Sequence, residues 1–517
     1  MLAAMGSLGM ATPSNVASVP FRTPSASDFS LTGRAAGRVL VLGGGVTGLA
    51  CAYELTKAGY DCTVLEAQHR IGGRNLTVRN GTAHTDLDGH TQTATYQGGQ
   101  YLNAGPARIA QWMLTLDYCR ELGVPLEVFT NVNAEAYIYR ERHGMTPGHP
   151  VRRREAQSDV NGYVAELLAK ATDQGALNQL LSAEDREKLL DLCRHFGHIG
   201  KRVVGDPDRS WSYHGGSQRG YPSWPGATGT PGTESGPVPT LSQVLASEVG
   251  RDLGFELSYK QEPVMLQPVG GMDAIPAALA KAVGEHRIRL GCAVLEITDH
   301  PDRVSVTYRD SSARQQRIDT DFVIATLPPN LLARIPHNLG SGVQQALRTF
   351  TQEPAGKIGL EYRSRWWESN DRIYGGISET DLDLSHLWYP SHDYHAERGV
   401  LVGYYNTGHK ATRYDTMTPA EREARAIHQG MKIHGPVYRD ELASSFSISW
   451  SRAPYIEGGW QKIPGGPEAP AYAPLNAPAG RVYFAGDWLS HLVSWQHGAF
   501  TSARKAVTAL HTRSLAV

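Results

Sequence analysis

Between Val39 and Gln68 the apolar positions change period twice. Val39-Leu40-Val41-Leu42 is an unbroken apolar run, Gly43-Gly44-Gly45 interrupts it, and Leu49 to Lys57 follows with helical spacing. A second short run, Cys62 to Leu65, closes the unit. Runs of this length bounded by glycine turns predict a buried strand, a helix and a parallel strand, because both sheet faces of such a unit are covered. Helical spacing recurs in the segment 109–123, with Ile109, Trp112, Met113, Leu116 and Leu122 apolar, and in a longer block over 160–197. In that block Ser182 stands three residues before Asp185 and ahead of an apolar periodic run, which predicts a capped helix start. Alternating strand patterns return at 287–298, 303–309, 321–328, 357–363 and 400–406, and RVYFAGD followed by AFTSARKAVTALH forms a last strand-helix unit. The stretch 213–240 is rich in Gly, Pro, Ser and Thr and reads as a long surface loop.

A chain of 517 residues exceeds one ordinary core, and two or three domains are expected. The strand-helix units at the two ends imply a nucleotide domain assembled from discontinuous pieces: residues 37–95, 256–345 and 446–517. A substrate-binding domain is expected over 96–150 and 346–445, a helical domain with its long loop over 151–255, and a flexible leader over 1–36. The net charge of −1 gives no reason to expect a nucleic acid or an anionic membrane as partner. No apolar run approaches the length needed to span a bilayer. The five cysteines are scattered with no C-x-x-C spacing, so neither a disulfide framework nor a metal site is expected. A cytoplasmic location is the expectation, although the small, mildly apolar start is like the tail of an export signal and leaves secretion open.

Gly43, Gly45 and Gly48 form G-x-G-x-x-G between the first strand and its helix. The first glycine allows the tight turn, the second lets a pyrophosphate approach the backbone, and the third lets helix and strand pack closely. The helix N-terminus then presents free N–H groups to the anion. Glu66 ends the second strand, where a carboxylate can take a ribose hydroxyl pair and would repel a 2′-phosphate.

Directly after it, Glu66-Ala67-Gln68-His69-Arg70-Ile71-Gly72-Gly73-Arg74 resembles the second fingerprint of the FAD-dependent amine oxidase superfamily, and Tyr483-Phe484-Ala485-Gly486-Asp487 resembles its F-A-G-[DE] motif. The resemblance implies an α/β fold: a Rossmann-like FAD-binding domain with an inserted mixed-sheet substrate domain and a helical domain. It assigns Arg70, Gly73 and Arg74 to the pyrophosphate and flavin and Gly486 and Asp487 to the ribityl side. Val294 and Gln496 join the cofactor contacts. The superfamily's covalently flavinylated members carry a cysteine shortly before F-A-G. None follows Cys292 here, so the implied FAD is non-covalent.

Within the superfamily the chain resembles the L-amino acid oxidase branch. Gly105-Pro106-Ala107-Arg108-Ile109 resembles the G-P-x-R-I motif, which makes Arg108 the expected clamp for a substrate α-carboxylate. A guanidinium suits that role because its paired donors match two carboxylate oxygens. Tyr389, in Leu387-Trp388-Tyr389-Pro390, matches a tyrosine whose hydroxyl reaches the same carboxylate. Lys357 matches the lysine that holds a water near the flavin, and Trp495 the aromatic residue beside substrate and flavin; both are expected to be catalytic. Where the branch commonly has Gly-Trp this chain has Ser494-Trp495, which puts the tightness of that turn in question.

The resemblance implies oxidation of an L-amino acid, bulky and apolar or aromatic, to a 2-oxo acid, ammonia and peroxide, with dioxygen as co-substrate and a homodimer as the assembly. An L-amino acid 2-monooxygenase fits the same motifs. A primary amine or polyamine oxidase would have no use for Arg108 as a clamp, and a non-enzymatic flavoprotein none for Lys357 and Trp495.

Overall fold

The structure is a computed structural model and describes residues 29–206 and 209–516. Residues 1–28 of the expected leader lie outside the described residues; the rest of it packs down, with Phe29 under Arg504 and the Thr32 carbonyl bonded to His511 at 2.9 Å.

Five parallel strands form the nucleotide sheet, in the order Ile288–Arg289, Asp61–Leu65, Arg38–Leu42, Phe322–Ala325 and Val482–Phe484. The apolar run Val39–Leu42 is central and buried on both faces. Val39 and Val41 pack against the helices Val46–Lys57, Ala274–Val283 and Gln496–Leu515. Leu40 and Leu42 face the antiparallel meander Ala293–Asp299, Val304–Arg309 and Gln315–Thr320. The sheet thus draws its strands from three separate stretches of the chain, 38–65, 288–325 and 482–484.

A second, mixed sheet has seven strands, in the order Leu442–Ser449, Ala355–Tyr362, Gly399–Thr407, His386–Tyr389, Gly376–Thr380, Tyr137–Tyr139 and Val151–Arg152. The strand Leu442–Ser449 runs through the boundary expected at 445/446, because its ladder to Ala355–Tyr362 keeps it in this sheet.

The helical block divides into Arg153–Asp173 and Ala183–Gly197, and the Ser182 side chain accepts from the Asp185 N–H as the spacing predicts. The 213–240 stretch is pinned by more than surface contacts. Arg219 is buried within it and pairs with the fully buried Asp159 at 2.9 Å.

The segment 109–123 departs from its helical pattern. Only Thr115–Glu121 is helical, and Ile109 instead exchanges both backbone hydrogen bonds with Leu266 at 2.8 and 2.9 Å. Trp112, counted as apolar-periodic, is 44% exposed. The bridge at Ile109 anchors the chain directly after Arg108.

The glycine turn after Leu42 shows two opposite requirements. A Cβ on Gly48 would lie 2.0 Å from the Gly43 carbonyl oxygen, whereas one on Gly45 would meet nothing within 4 Å. Gly48→Ala should therefore cost at least about 1–3 kcal/mol through overpacking against backbone. Gly45→Ala, at φ −73°, should cost less than about 1 kcal/mol. Thermal melts of the two variants check this, and equal losses would remove Gly48 as the close-packing position.

Candidate active site

One cavity of about 740 Å3 runs from the glycine turn to the mixed sheet. That volume is large enough for a cofactor and a small substrate together. At the nucleotide end Gly43, Gly45, Glu66, Gly73, Arg74, Val294, Gly486, Asp487 and Gln496 line it. The glycine turn is backed by the second motif: Gly72 N–H donates to the Gly44 carbonyl at 2.8 Å, and a bridge joins Gly45 to Gly72. Glu66, 6% exposed, accepts from the Gly44 and Gln68 N–H groups at 2.7 and 2.8 Å. Burial raises its pKa, and these hydrogen bonds oppose that shift. The carboxylate thereby ties the strand end to the turn while keeping acceptor capacity toward the cavity.

Asp487 accepts from Arg74 and from the Ser494 N–H, the latter at 2.9 Å. The second contact explains how a serine serves in the Ser494-Trp495 turn. Ser494 adopts φ +73°, a left-handed conformation costly for a side-chain-bearing residue, and the bond to Asp487 helps hold it there. Gln496 donates to Asn75 at 2.6 Å across the cavity wall.

Two residues of the cofactor motifs do not line the cavity. Gly48 lies behind the turn, as its packing role requires. Arg70 does not line the cavity: its guanidinium turns back to donate to the Gly73 carbonyl at 2.7 Å and the Ile71 carbonyl at 3.3 Å. Through Nη1 it braces the glycine doublet.

At the far end the mixed sheet supplies the wall. Cα register places Lys357, Tyr405, His386 and Glu379 in one lateral row across four strands, and all four line the cavity. Ile377 and Trp388 occupy the next row on the same face. Lys357 is 3% exposed and donates to the Asn103 and Gly105 carbonyls at 3.1 and 2.5 Å. Burial, reinforced by Arg108, lowers its pKa to about 7.

The Arg108 guanidinium stacks 4.5 Å over Trp388 and lies 5.6 Å from the ring of Phe255. Its Nε and Nη1 atoms are buried without a hydrogen-bond partner, and no carboxylate stands within ion-pair distance among the described residues. Burial lowers its pKa to about 10, which still leaves it charged at neutral pH. A buried cation with idle donors is costly and marks a place for an anion. Trp495 lines the same cavity and packs partly into the core beside it.

Tyr389 is a correction. Its hydroxyl bonds to Ser378 Oγ and His434 Nε2, each at 2.8 Å, and His434 Nδ1 meets Asp371 at 2.9 Å on the opposite face of the sheet. Successive strand residues point to opposite faces, so Trp388 and His386 face the cavity while Tyr389 and Leu387 face the core. Trp388, whose indole N–H has no partner, stands at the wall where the tyrosine was expected. Strand alternation sets the two residues on opposite faces, and only the strand's place in the sheet decides which face is the cavity's. The pair of His386 and Glu379, with Nε2 2.8 Å from the carboxylate, carried no motif at all.

Relief of the buried lysine gives a prediction. As pH falls from about 10.5 the unfolded chain takes up the proton first, so the wild-type fold loses stability until about pH 7 and levels off below. Lys357→Met should therefore raise apoprotein stability by roughly 2–4 kcal/mol below pH 7, after allowance for two lost hydrogen bonds. The gain should shrink toward pH 10. Melts at pH 6.5 and 9.5 measure it, and an equal gain at both would mean that the buried lysine keeps its ordinary pKa and stays protonated in the fold.

The geometry agrees with comparison to known proteins. A family profile described as flavin containing amine oxidoreductase matches residues 46–511. The L-amino-acid oxidase of Bothrops pauloensis is 26% identical over 470 residues, covering 88% of this chain and 86% of that protein. The L-amino-acid oxidase of Protobothrops flavoviridis is 26% identical over 471 residues, covering 88% and 85%. Among solved structures, cyclohexylamine oxidase from Brevibacterium oxydans superposes with a TM-score of 0.61 at 18% identity, over 92% of this chain and 99% of that one. The chain belongs to the flavin-containing amine oxidoreductase family.

Proposed function

We propose that the protein is an FAD-dependent L-amino acid oxidase. The observation that carries this reading is Arg108, a charged guanidinium with unpartnered donors inside the cavity. An amine substrate offers it nothing, whereas an amino acid brings a carboxylate that matches its paired N–H groups. The named L-amino-acid oxidases among the relatives support the same substrate class.

The residues at the nucleotide end fit FAD. Gly45 leaves open space where a Cβ would stand, the helix Val46–Lys57 points its N-terminus there, and Glu66 retains acceptor capacity. Bound flavin supplies the two-electron acceptor for the Cα–N bond and passes the electrons to dioxygen. The chain's own groups position the substrate. Arg108 fixes the carboxylate, Trp388 and Trp495 wall the cavity, and Ile109 in its bridge to Leu266 keeps the clamp from swinging. A neutral Lys357 amine spends its two N–H groups on Asn103 and Gly105 and keeps a lone pair that can hold a water hydrogen.

Arg108→Ala should lower kcat/KM on L-amino acids by about thirty- to several-thousand-fold, since the substrate carboxylate is left buried without its partner. Arg108→Lys should restore only part of this, and turnover of the matching decarboxylated amine should barely change. Peroxide release on paired amino acid and amine substrates measures both. Equal losses on the two would move Arg108 from substrate recognition to folding or flavin binding.

We also propose that FAD is held without a covalent bond. Among the described residues Cys292 is the only cysteine on the cavity, and it lies at the Glu66 end, its N–H donating to the Glu66 carbonyl at 2.8 Å. Acid precipitation should leave yellow FAD in the supernatant, and colour retained in the pellet would overturn this.

A further inference from the structure

The far wall of the cavity holds a carboxylate that neither the flavin nor the Arg108 clamp uses. Glu379 is 8% exposed and lines the cavity. Its one hydrogen-bonding contact among the described residues is His386 Nε2 at 2.8 Å. An ionised carboxylate has about four acceptor positions, so most of its capacity is idle. Burial alone would push Glu379 to hold its proton, but His386, Arg153 and Arg108 outweigh burial and keep its pKa below the ordinary value. The acid therefore stays charged in a largely enclosed space. Its charge is compensated by these neighbours, while its idle acceptor positions stand on the cavity, where a ligand donor can take them.

Its place in the row limits which part of a substrate can reach it. From Lys357 through Tyr405 and His386 to Glu379 is three strand steps, about 14 Å at the usual inter-strand spacing. A substrate whose reacting carbon lies near Lys357 meets Glu379 only with the far end of its side chain. Between them stand aromatic rings that already face cations: Trp388 lies under Arg108 at 4.5 Å and Lys357 at 4.8 Å, and Tyr405 under Lys357 at 4.9 Å. Aromatic walls ending in a carboxylate suit an aliphatic stem with a positive tip.

Resting on the L-amino acid reading above, we propose that Glu379 is a specificity-determining residue that selects L-amino acids with a long cationic side chain, an ammonium or guanidinium at the position of lysine or arginine. His386 holds the carboxylate toward the cavity and is a positioning residue. Charge in the cavity is then matched end to end, with the α-carboxylate on Arg108 and the side-chain cation on Glu379. The same acid disfavours L-glutamate and L-aspartate. This class differs from the bulky apolar or aromatic side chain expected from sequence, and the buried acid is the reason for the change.

The test compares kcat/KM of the holoenzyme for L-lysine, L-arginine, L-norleucine, L-citrulline, L-phenylalanine and L-tryptophan, with cadaverine as the carboxylate-free control. Wild type should prefer L-lysine over L-norleucine, and L-arginine over L-citrulline, by thirtyfold or more. Glu379→Gln should bring the ratio of kcat/KM for L-lysine over L-norleucine down from about thirtyfold to near unity, with flavin content and melting temperature reporting the folded state. Glu379→Asp should retain part of the preference and serves where the glutamine variant does not fold; the wild-type profile needs no variant. A wild type that favours neutral or aromatic side chains overturns the inference alone. So does an equal loss on all amino acids in Glu379→Gln, which would place the acid at the α-amine. Turnover of cadaverine with none of any amino acid overturns the L-amino acid reading itself.

Discussion

A guanidinium enclosed by aromatic rings and left without a carboxylate is the constraint around which this cavity is arranged. Arg108 lies over Trp388 and near Phe255, and its Nε and Nη1 donors bond to nothing. Aromatic faces attract the cation but accept none of its N–H groups in the plane where a carboxylate would. The fold therefore carries an unfavourable burial that a ligand can relieve. Lys357 repeats the pattern a short way off, a buried amine whose charged form is opposed by both its surroundings and Arg108. Two basic groups kept in one dry space, one of them driven toward its neutral form, would be a poor choice for stability alone. Such departures from the most stable arrangement are characteristic of functional sites.

Where the chemistry rests on local sequence, it was legible. The strand, the glycine turn and the helix from Arg38 to Lys57 are contiguous, and each glycine's task follows from backbone geometry. The Ser182 cap and the buried central strand likewise depend on neighbours a few residues away. Arg108 was found because its motif is local too. What stayed hidden depends on partners distant in sequence. Tyr389 and Trp388 are adjacent, and only the pleat of a strand placed between Gly376–Thr380 and Gly399–Thr407 decides which one faces the cavity. Arg70 carried the right motif but spends its guanidinium on the Gly73 carbonyl, a bond that no spacing rule announces. Ile109 had a helical neighbourhood and lost it to Leu266, which lies more than 150 residues away.

His386 and Glu379 make the same point more sharply. They occur in an unremarkable stretch, separated by six residues of a turn-rich hairpin. The antiparallel register sets them opposite each other, and the next two strands add Tyr405 and then Lys357 to the row. Behind this face, Ser378, Tyr389, His434 and Asp371 form a hydrogen-bonded chain that ties two of these strands to the helix Pro419–His434. Buried polar chains of this kind, when every member is satisfied, fix one arrangement of a core. The tyrosine expected at the substrate thus contributes from the other side, by holding the strands that carry the residues which do line the cavity.

The two ends of the cavity are joined through one short segment. A Cβ on Gly105 would fall 1.8 Å from the Arg74 carbonyl oxygen, so the chain just before Arg108 is in direct backbone contact with the second cofactor motif. The carbonyls of Asn103, Ala104 and Gly105 are each taken, by Lys357, by the Trp450 indole N–H at 3.0 Å, and again by Lys357. The Asn103 side chain in turn accepts from the Met272 N–H at 2.9 Å and from Thr77 at 2.9 Å. A clamp mounted on a free loop would leave the distance between carboxylate and flavin to chance, and misplacement by an ångström is enough to lose most of the benefit of orientation. Here the clamp is three residues from a glycine lodged against the cofactor loop, and the lysine that faces the reaction is what pins that segment down. In the reading proposed above, the segment that carries the carboxylate clamp and the motif that faces the cofactor are therefore tied into one packed, hydrogen-bonded unit.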